Sequence, residues 1–340
     1  MIENGNLPPV TSPVWKDLAI PIETLPNLRR VDSRGKLYRS SRQDLLSRAD
    51  TEKLKELRIQ SVIDFRSKSE YKVANGDKIY DQNSAILEVV IPKAKGSGQS
   101  TTTKQIISVN VKPVKVKSLK GIQNKEIKNL QKQTLNDDHH SAINRKRFLL
   151  DFFKLHFVWT VFNRIPLYKR LFSILYLIVD ILFRTHFRYF IRYFAKETLN
   201  PAGLLSSYID MIELSGTQIC LALRILSDPS NLPALVSCAH GKDRTGIVVA
   251  MVLSLLGKSD DYIAEEYALS EIGLDPIRPR VHQEIVGRTR MDESFTHARR
   301  ETMDGLLQYI HKTYGSVPNY LESIGFGKED QKKLLQSFQE

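Results

Sequence analysis

The run Val236-Ser237-Cys238-Ala239-His240-Gly241-Lys242-Asp243-Arg244-Thr245-Gly246 brings a thiol, an imidazole, an ammonium, a carboxylate and a guanidinium together within a few residues. A short apolar stretch, Ala234 to Ser237, leads into it as a buried strand, and Thr245 to Leu256 leads away as an apolar helix. A strand, a glycine-containing loop and a helix N-terminus in that order make an anion site. Successive backbone N–H groups turn inward, and the helix dipole adds positive potential. Arg244 lies six positions after Cys238, where its planar fork can give two parallel hydrogen bonds to phosphate oxygens, a geometry lysine cannot match. The donors that hold phosphate also favour the thiolate, the nucleophilic form of cysteine.

A thiolate beneath a bound phosphate is placed for in-line attack on phosphorus, and the same donors follow charge onto the equatorial oxygens. Thr245 is expected to donate its hydroxyl to the sulfur and so to favour its expulsion in a second step. An acid must protonate the leaving oxygen and a base must then activate water. Asp243 in the loop and Asp64, at the end of a strand over Ser61 to Phe65, are the two candidates, with Asp243 preferred. Ala239, His240, Gly241, Lys242 and Gly246 are read as binding substrate, joined by Asp64 and Arg66. His240 either faces substrate or sits on the surface, and Lys242 is expected to add charge at the mouth of the site. This chemistry calls for no metal and no organic cofactor. Cys220 lies in an apolar helical stretch, Ile219 to Leu226, and reads as core packing.

The elements that must position these residues alternate between strand and helix, which points to an α/β fold with a parallel sheet. A turn at Asp32-Ser33-Arg34-Gly35 precedes a strand over Lys36 to Arg39. A helix starts near Ser47, where Ser47 and Asp50 have the spacing of a capping box. Further strands are expected at Ser61 to Phe65 and at Ile86 to Ile91. Helices are expected over Leu204 to Ser227, Asp261 to Ser270, Thr302 to Tyr314 and Glu329 to Phe338.

The 340 residues carry 50 Lys and Arg against 38 Asp and Glu, a net charge of +12. Most of that excess falls between Lys93 and Arg147, with 13 basic and 3 acidic residues, so the charge belongs to a segment and not to the fold. With 41% hydrophobic and 26% charged residues, the average fits neither a disordered chain nor a membrane bundle. Only Cys220 and Cys238 occur, which excludes a disulfide framework and suits a reducing, cytoplasmic setting. Residues 1–20 read as an N-terminal extension without a signal-peptide pattern.

Residues 21–340 read as one catalytic domain with two interruptions. Residues 93–144 form a basic, flexible insertion of Lys, Gln, Ser, Thr and Asn, in which Ile106-Ile107 and Val109 to Val116 are candidates for a hairpin. Residues 145–198 are aromatic and basic, and read as helical throughout. Their densest apolar run, Leu171 to Phe183, is shorter than the ~20 residues that cross a bilayer. Three roles stay open for this segment: a lid or substrate wall over the catalytic site, an interfacial contact with anionic lipid, or insertion into the bilayer as a hairpin. The arginines at 278, 280, 288, 290, 299 and 300 either line the substrate entrance or solvate a loop. Nucleic acid is a weak option, because the basic insertion lacks interleaved aromatic residues.

The Cys238-to-Arg244 loop resembles the Cys-x5-Arg signature of the protein tyrosine phosphatase superfamily. Its Gly-Lys-Asp-Arg-Thr-Gly ending is similar to the subgroup of atypical tyrosine and lipid phosphatases. Asn27-Leu28-Arg29 with Gly35 to Ser40, and Val62 to Ser67 with Glu70, resemble two further motifs of that subgroup. So do Leu253 to Ser270 and the region from Tyr314 to Leu321. The resemblance covers about residues 20–92 and 200–338. It implies a cysteine-phosphatase-like parallel sheet flanked by helices, hydrolysis of phosphotyrosine, and in several members action on phosphoserine, phosphothreonine or phosphoinositides. It also implies acid–base work by the loop aspartate, here Asp243. Two departures stand out. Ser237 occupies the position before the nucleophile where the family carries histidine, and Arg30-Val31-Asp32 replaces an Asp-Leu-Gly type sequence. Both imply a lower rate. The expected function is therefore a phosphoprotein phosphatase, with a phosphoinositide phosphatase at a membrane surface or a phosphate-binding pseudophosphatase as alternatives.

Overall fold

A computed structural model describes residues 13–82, 84–90, 108–114, 145–185 and 187–339. It contains a seven-stranded sheet in the order β1-β2-β7-β3-β6-β4-β5. The strands are β1 (Arg29–Arg30), β2 (Leu37–Ser40), β3 (Ser61–Asp64), β4 (Ser84–Val90), β5 (Asn110–Pro113), β6 (Arg145–Leu149) and β7 (Ala234–Ser237). The five central strands run parallel, and β1 and β5 close the edges antiparallel. Strands β2, β7 and β3 read as short, fully buried runs, as parallel strands covered on both faces do.

Register puts Ser40, Ser237 and Asp64 side by side, with Leu149 next to Asp64. The C-terminal ends of four parallel strands therefore share one edge, the usual place for a ligand crevice in an open α/β sheet. Cys238 is the first residue past that edge on β7, between β2 and β3.

Helices flank the sheet. Those used below are α1 (Arg48–Lys55), α2 (Lys68–Val73), α3 (Leu155–Asn163), α4 (Leu167–Phe183), α5 (Arg188–Phe194), α6 (Asn200–Leu214), α7 (Gly216–Leu226), α8 (Asp243–Leu255) and α9 (Asp260–Ala268). The main core packs α7 and α8 against the sheet and includes Cys220, fully buried as expected, with its thiol pushed up to about 11 by that burial. Ser47 caps α1, its hydroxyl accepting from the Asp50 amide at 3.0 Å. The reciprocal half of the box is not made, because the Asp50 carboxylate accepts instead from the amide and hydroxyl of Thr24.

Three expectations need correction. Residues 145–149 are not helical but form β6, the strand between β3 and β4. Arg145 and Arg147 fall within the basic excess between Lys93 and Arg147, yet both are buried: Arg145 stacks 3.7 Å above the Tyr80 ring, and Arg147 binds Asp64, Asp81 and Gln43. Asn110–Pro113, inside the run Val109 to Val116, forms β5 and pairs with β4 in the register Leu87↔Pro113, while the hairpin expected with Ile106-Ile107 lies outside the described residues. Ile106, Ile107, Val116 and most of the basic insertion lie outside the described residues, as do Ile91 and residues 1–12. The single helix expected over Leu204 to Ser227 is two helices, α6 and α7, broken at Ser215.

Candidate active site

The loop after β7 is held open from outside. Gly241 has φ +67°, and a Cβ there would lie 2.0 Å from the Ser40 carbonyl oxygen, so neither the backbone angle nor the space admits a side chain. The Asn27 amide donates to the carbonyls of His240 and Gly241, both at 3.1 Å. Arg39 Nη2 donates to the carbonyls of Gly241 at 2.7 Å and Lys242 at 3.3 Å. The backbone N–H of Arg42 donates to the Ala239 carbonyl at 3.3 Å. In a trans peptide the C=O of one residue and the N–H of the next point in opposite directions. With the carbonyls of Ala239 through Lys242 drawn outward, the amides of His240 through Asp243 face the other way, into the concavity above Cys238.

The clamp itself is anchored in the core. Glu266 on α9 accepts from Arg29 Nε at 2.7 Å and from Arg39 Nη1 at 2.6 Å, with all three side chains essentially fully buried. Burial alone would raise the Glu266 carboxyl, but Arg29 and then Arg39 override it and hold it low. Gly246, at the start of α8, lets the Tyr267 ring approach to 3.0 Å from where a Cβ would stand.

Arg244 lies against Glu70. Its Nη1 donates to the Phe65 carbonyl at 2.9 Å, and Nη1 and Nη2 both reach Glu70 at 3.2 Å. The Phe153 ring centroid lies 5.0 Å from its guanidinium carbon. Burial opposes the charge on Arg244, yet Glu70 and the Cys238 sulfur raise its pKa further above an already high value. Glu70 is fixed in turn by a complete capping box at the start of α2: its carboxylate accepts from the Ser67 amide at 2.7 Å, while Ser67 Oγ accepts from the Glu70 amide at 3.1 Å.

Asp243 is the first residue of α8. Its Oδ1 accepts from the Tyr208 hydroxyl at 2.7 Å and lies 3.3 Å from Lys242 Nζ. Tyr208 and Tyr267 hydroxyls are 2.7 Å apart, and since Tyr208 gives its proton to Asp243, Tyr267 donates to Tyr208. Both phenols are raised well above the ordinary tyrosine range, by burial first and then by the Asp243 charge.

The structure separates the other expected residues. Cys238 is buried at the floor of the loop, with Ala239, His240, Gly241, Asp243 and Arg244 around it in sequence. Lys242 is not at the mouth. It is fully buried and donates to the carbonyls of Phe295 at 2.6 Å and His297 at 2.8 Å, pinning the segment Glu293–Thr296 beneath the loop. Asp64 and Arg66 are likewise buried and taken up by partners within the fold. Asp64 is fully buried and accepts from Arg66 and Arg147, and Arg66 also binds Asp44. Burial would raise the Asp64 carboxyl, but Arg66 and Arg147 hold it below the usual range, so it is neither exposed nor ready to give a proton.

Thr245 Oγ1 is buried without a hydrogen-bond partner, so the expected bond to sulfur is not made in this state. Ser237 Oγ is likewise buried and unpartnered. His240 Nε2 lies 2.8 Å from Glu284, which also binds Arg42 at 2.7 Å. Of the arginines left open by sequence, Arg278 and Arg300 form surface ion pairs, while Arg280 stands 4.0 Å from Glu284 at the rim.

Sequence reasoning missed four contributors. Glu70 was noted only as part of a motif, and its Ser67-x-x-Glu70 capping pattern was the available signal. Asn27 and Arg39 had motif membership but no role, and Tyr208 had no local signal at all. Among the described residues, no three His, Cys, Asp or Glu side chains converge as a metal site requires.

Comparison with known proteins gives two kinds of match. A model described as "Tyrosine phosphatase family" matches residues 25–176 and 184–340, and so runs through most of the middle segment that the motif resemblance left out. The triple specificity protein phosphatase PtpB of Mycobacterium tuberculosis is 32% identical over 151 residues, covering 39% of this chain and 55% of that protein. A tyrosine-protein phosphatase of Nostoc commune is 26% identical over 143 residues, covering 39% of this chain and 48% of that protein. The matched stretches thus span about half the length of these curated relatives.

Proposed function

The chain belongs to the tyrosine phosphatase family, and on that premise we propose that it hydrolyses phosphate monoesters on proteins through a phosphocysteine at Cys238. Phosphotyrosine is the main substrate in this reading, with phosphoserine and phosphothreonine within reach. The observation that carries the proposal is the outward clamping of the loop carbonyls by Asn27, Arg39 and Arg42, which leaves a ring of amides above a buried thiol.

In the first step the substrate phosphate sits in that ring, and the Nε/Nη2 edge of Arg244 binds two of its oxygens. Glu70 and Phe65 already occupy the Nη1/Nη2 edge and fix the fork. Cys238 Sγ forms a bond to phosphorus as the bond to the ester oxygen breaks, and Asp243 gives its proton to that oxygen. In the second step water attacks phosphorus, Asp243 takes the water's proton and the P–S bond breaks. The buried, unspent hydroxyl of Thr245 then supports the departing thiolate. A reduced thiol is needed throughout, which goes with a cytoplasmic setting.

Acid quenching of the enzyme with a labelled phosphotyrosine peptide tests this reading. Label should remain covalently attached to the wild type and be absent from Cys238→Ala. Tight binding of the phosphopeptide without label or turnover would instead make the protein a phosphate-binding pseudophosphatase.

A second reading sends the same site to phosphoinositides. It is supported by the rim of the loop, where Arg42 and Arg280 both lie against Glu284 beside His240, with Asp44 3.9 Å from Arg42. Release of phosphate from a phosphoinositide panel at rates above those for phosphopeptides would move this reading to first place.

A further inference from the structure

Helix α4 is built in a way that catalysis does not explain. Of its 17 residues only Ser173 and Asp180 are buried. Leu171, Leu175, Ile178, Ile181, Leu182 and Phe183 are all exposed, the last two by 71% and 73%. At about 100° per residue, the exposed apolar positions from Ile181 round to Tyr176 sweep about 220° of the helix, more than half its circumference. A helix seated in a protein groove presents a stripe of roughly 100°, and monomers rarely leave apolar patches beyond a few hundred Å² in water.

This is a formed structure and not a loose end. Asp180 turns inward, and its carboxylate accepts from the Thr185 hydroxyl and from the amides of Tyr189 at 3.1 Å and Phe190 at 2.7 Å, locking the reversal from α4 into α5. The rings of Tyr176 and Tyr193 lie 5.1 Å apart and hold the two helices together. The family match skips residues 177–183, the apolar end of α4, so this end is added to what the family shares.

Charge identifies the occupant. Between Lys154 and Lys196 there are eight Lys and Arg; Lys154, Arg164 and Lys169 pair with Asp151, Asp210 and Glu197, whereas Arg170, Arg184, Arg188, Arg192 and Lys196 have no carboxylate partner among the described residues. Two copies meeting through α4 would bring these like charges together, whereas an anionic bilayer neutralises them while its acyl region takes up the apolar arc. No described helix is long and apolar enough to cross a membrane, so α4 lies in the interface. The geometry points to α4, with Arg184 at its end and Arg188 and Arg192 on α5, as a docking surface for anionic membrane. This goes beyond the phosphatase reading and holds whichever monoester is hydrolysed.

The same segment touches the catalytic region at both ends. Phe153, just before α3, faces Arg244, and Arg192 on α5 donates to the carbonyls of Gly287 and Arg288 at 3.0 Å, next to the Glu284 that holds His240. A docked molecule therefore keeps its catalytic rim attached to the membrane-bound element.

Co-sedimentation of the full chain with vesicles tests the proposal. Wild type should bind phosphatidylglycerol-rich vesicles and bind pure phosphatidylcholine at least tenfold more weakly. The double change Leu182→Glu/Phe183→Glu should reduce binding tenfold or more, and Arg184→Gln/Arg188→Gln several-fold. Both variants should keep wild-type turnover of a small soluble aryl phosphate, which shows that they fold. Absence of vesicle binding by wild type, unaltered binding by the Leu182/Phe183 variant, or a dimer dispersed by that variant would each overturn the proposal. Because binding is read without turnover, its failure is distinct from failure of the phosphatase reading.

Discussion

Tyr208 donates its hydroxyl to Asp243 Oδ1 at 2.7 Å, and Tyr267 stands 2.7 Å behind it. The pair is 35 residues apart in sequence, and the bond fixes one oxygen of the carboxylate so that the other is free for the leaving group or the water. Tyr208→Phe is expected to lower kcat about tenfold, a fraction of the ~10² to 10⁴ that general acid–base catalysis supplies. The loss should be greater for a phosphoserine peptide than for an activated aryl phosphate, whose leaving group needs little protonation. Equal losses on both substrates would show a merely structural role.

Glu70 does for Arg244 what Tyr208 does for Asp243. Glu70→Ala removes the partner from the Nη1/Nη2 edge, and KM for a phosphopeptide should rise about tenfold, in keeping with the loss of an oriented charge-assisted pair. Burial opposes ionisation of Glu70, but Arg244 holds its carboxyl below the usual value. The orienting charge is therefore present above the ordinary carboxylate range and lost only as pH falls through the lowered value. Steady-state kinetics that leave KM unchanged in the variant would contradict this role.

Much of this site was readable in the chain and much was not, for identifiable reasons. The strand Ala234–Ser237, the loop and the start of α8 are contiguous, so local pattern located them to within two residues. The clamp is not local: Arg39 and Glu266 are 227 residues apart, and no propensity or spacing links them. Strand β6 was hidden because Arg145 and Arg147 looked like the tail of a solvated basic run, whereas burial among Tyr80, Asp81 and Asp64 makes them core residues. That omission misled the reading of Asp64. A carboxylate at a strand end near a nucleophile looks available until the neighbouring strand supplies the arginine that consumes it. Lys242 failed similarly, since its carbonyl partners at Phe295 and His297 belong to a short helical turn, Glu293–Thr296, and its cap, which no local pattern links to the loop.

Glu266→Ala should be the most damaging substitution outside the loop. It leaves Arg29 and Arg39 buried without a counter-charge, which typically costs about 3–5 kcal/mol. Denaturant unfolding should show a loss of that size, and at a temperature where the variant stays folded turnover should also drop, because Arg39 no longer holds the Gly241 and Lys242 carbonyls. A loss below about 1 kcal/mol would mean the cluster does not anchor the fold.

The rim carries a pH signature. Burial would raise the Glu284 carboxyl, but His240, Arg42 and Arg280 bring it down to about 2. A folded-state value below the unfolded one adds stability that is fully present above the unfolded value of about 4.3 and is lost as pH falls toward 2. The stability gap between wild type and Glu284→Gln, followed by urea unfolding, should therefore be constant near neutrality and narrow between about pH 4.3 and 2. A gap that persists at the acid end would contradict the pairing.

The central claim is that Cys238 is the nucleophile of a metal-independent phosphatase. It is tested most directly by phosphate release from a phosphotyrosine peptide in chelator-treated buffer, comparing wild type with Cys238→Ser. The account predicts sustained turnover by wild type and a loss of at least ~10³-fold in the variant, with peptide binding retained, as expected when a covalent nucleophile is removed from an intact phosphate cradle. Comparable turnover by both proteins would contradict it.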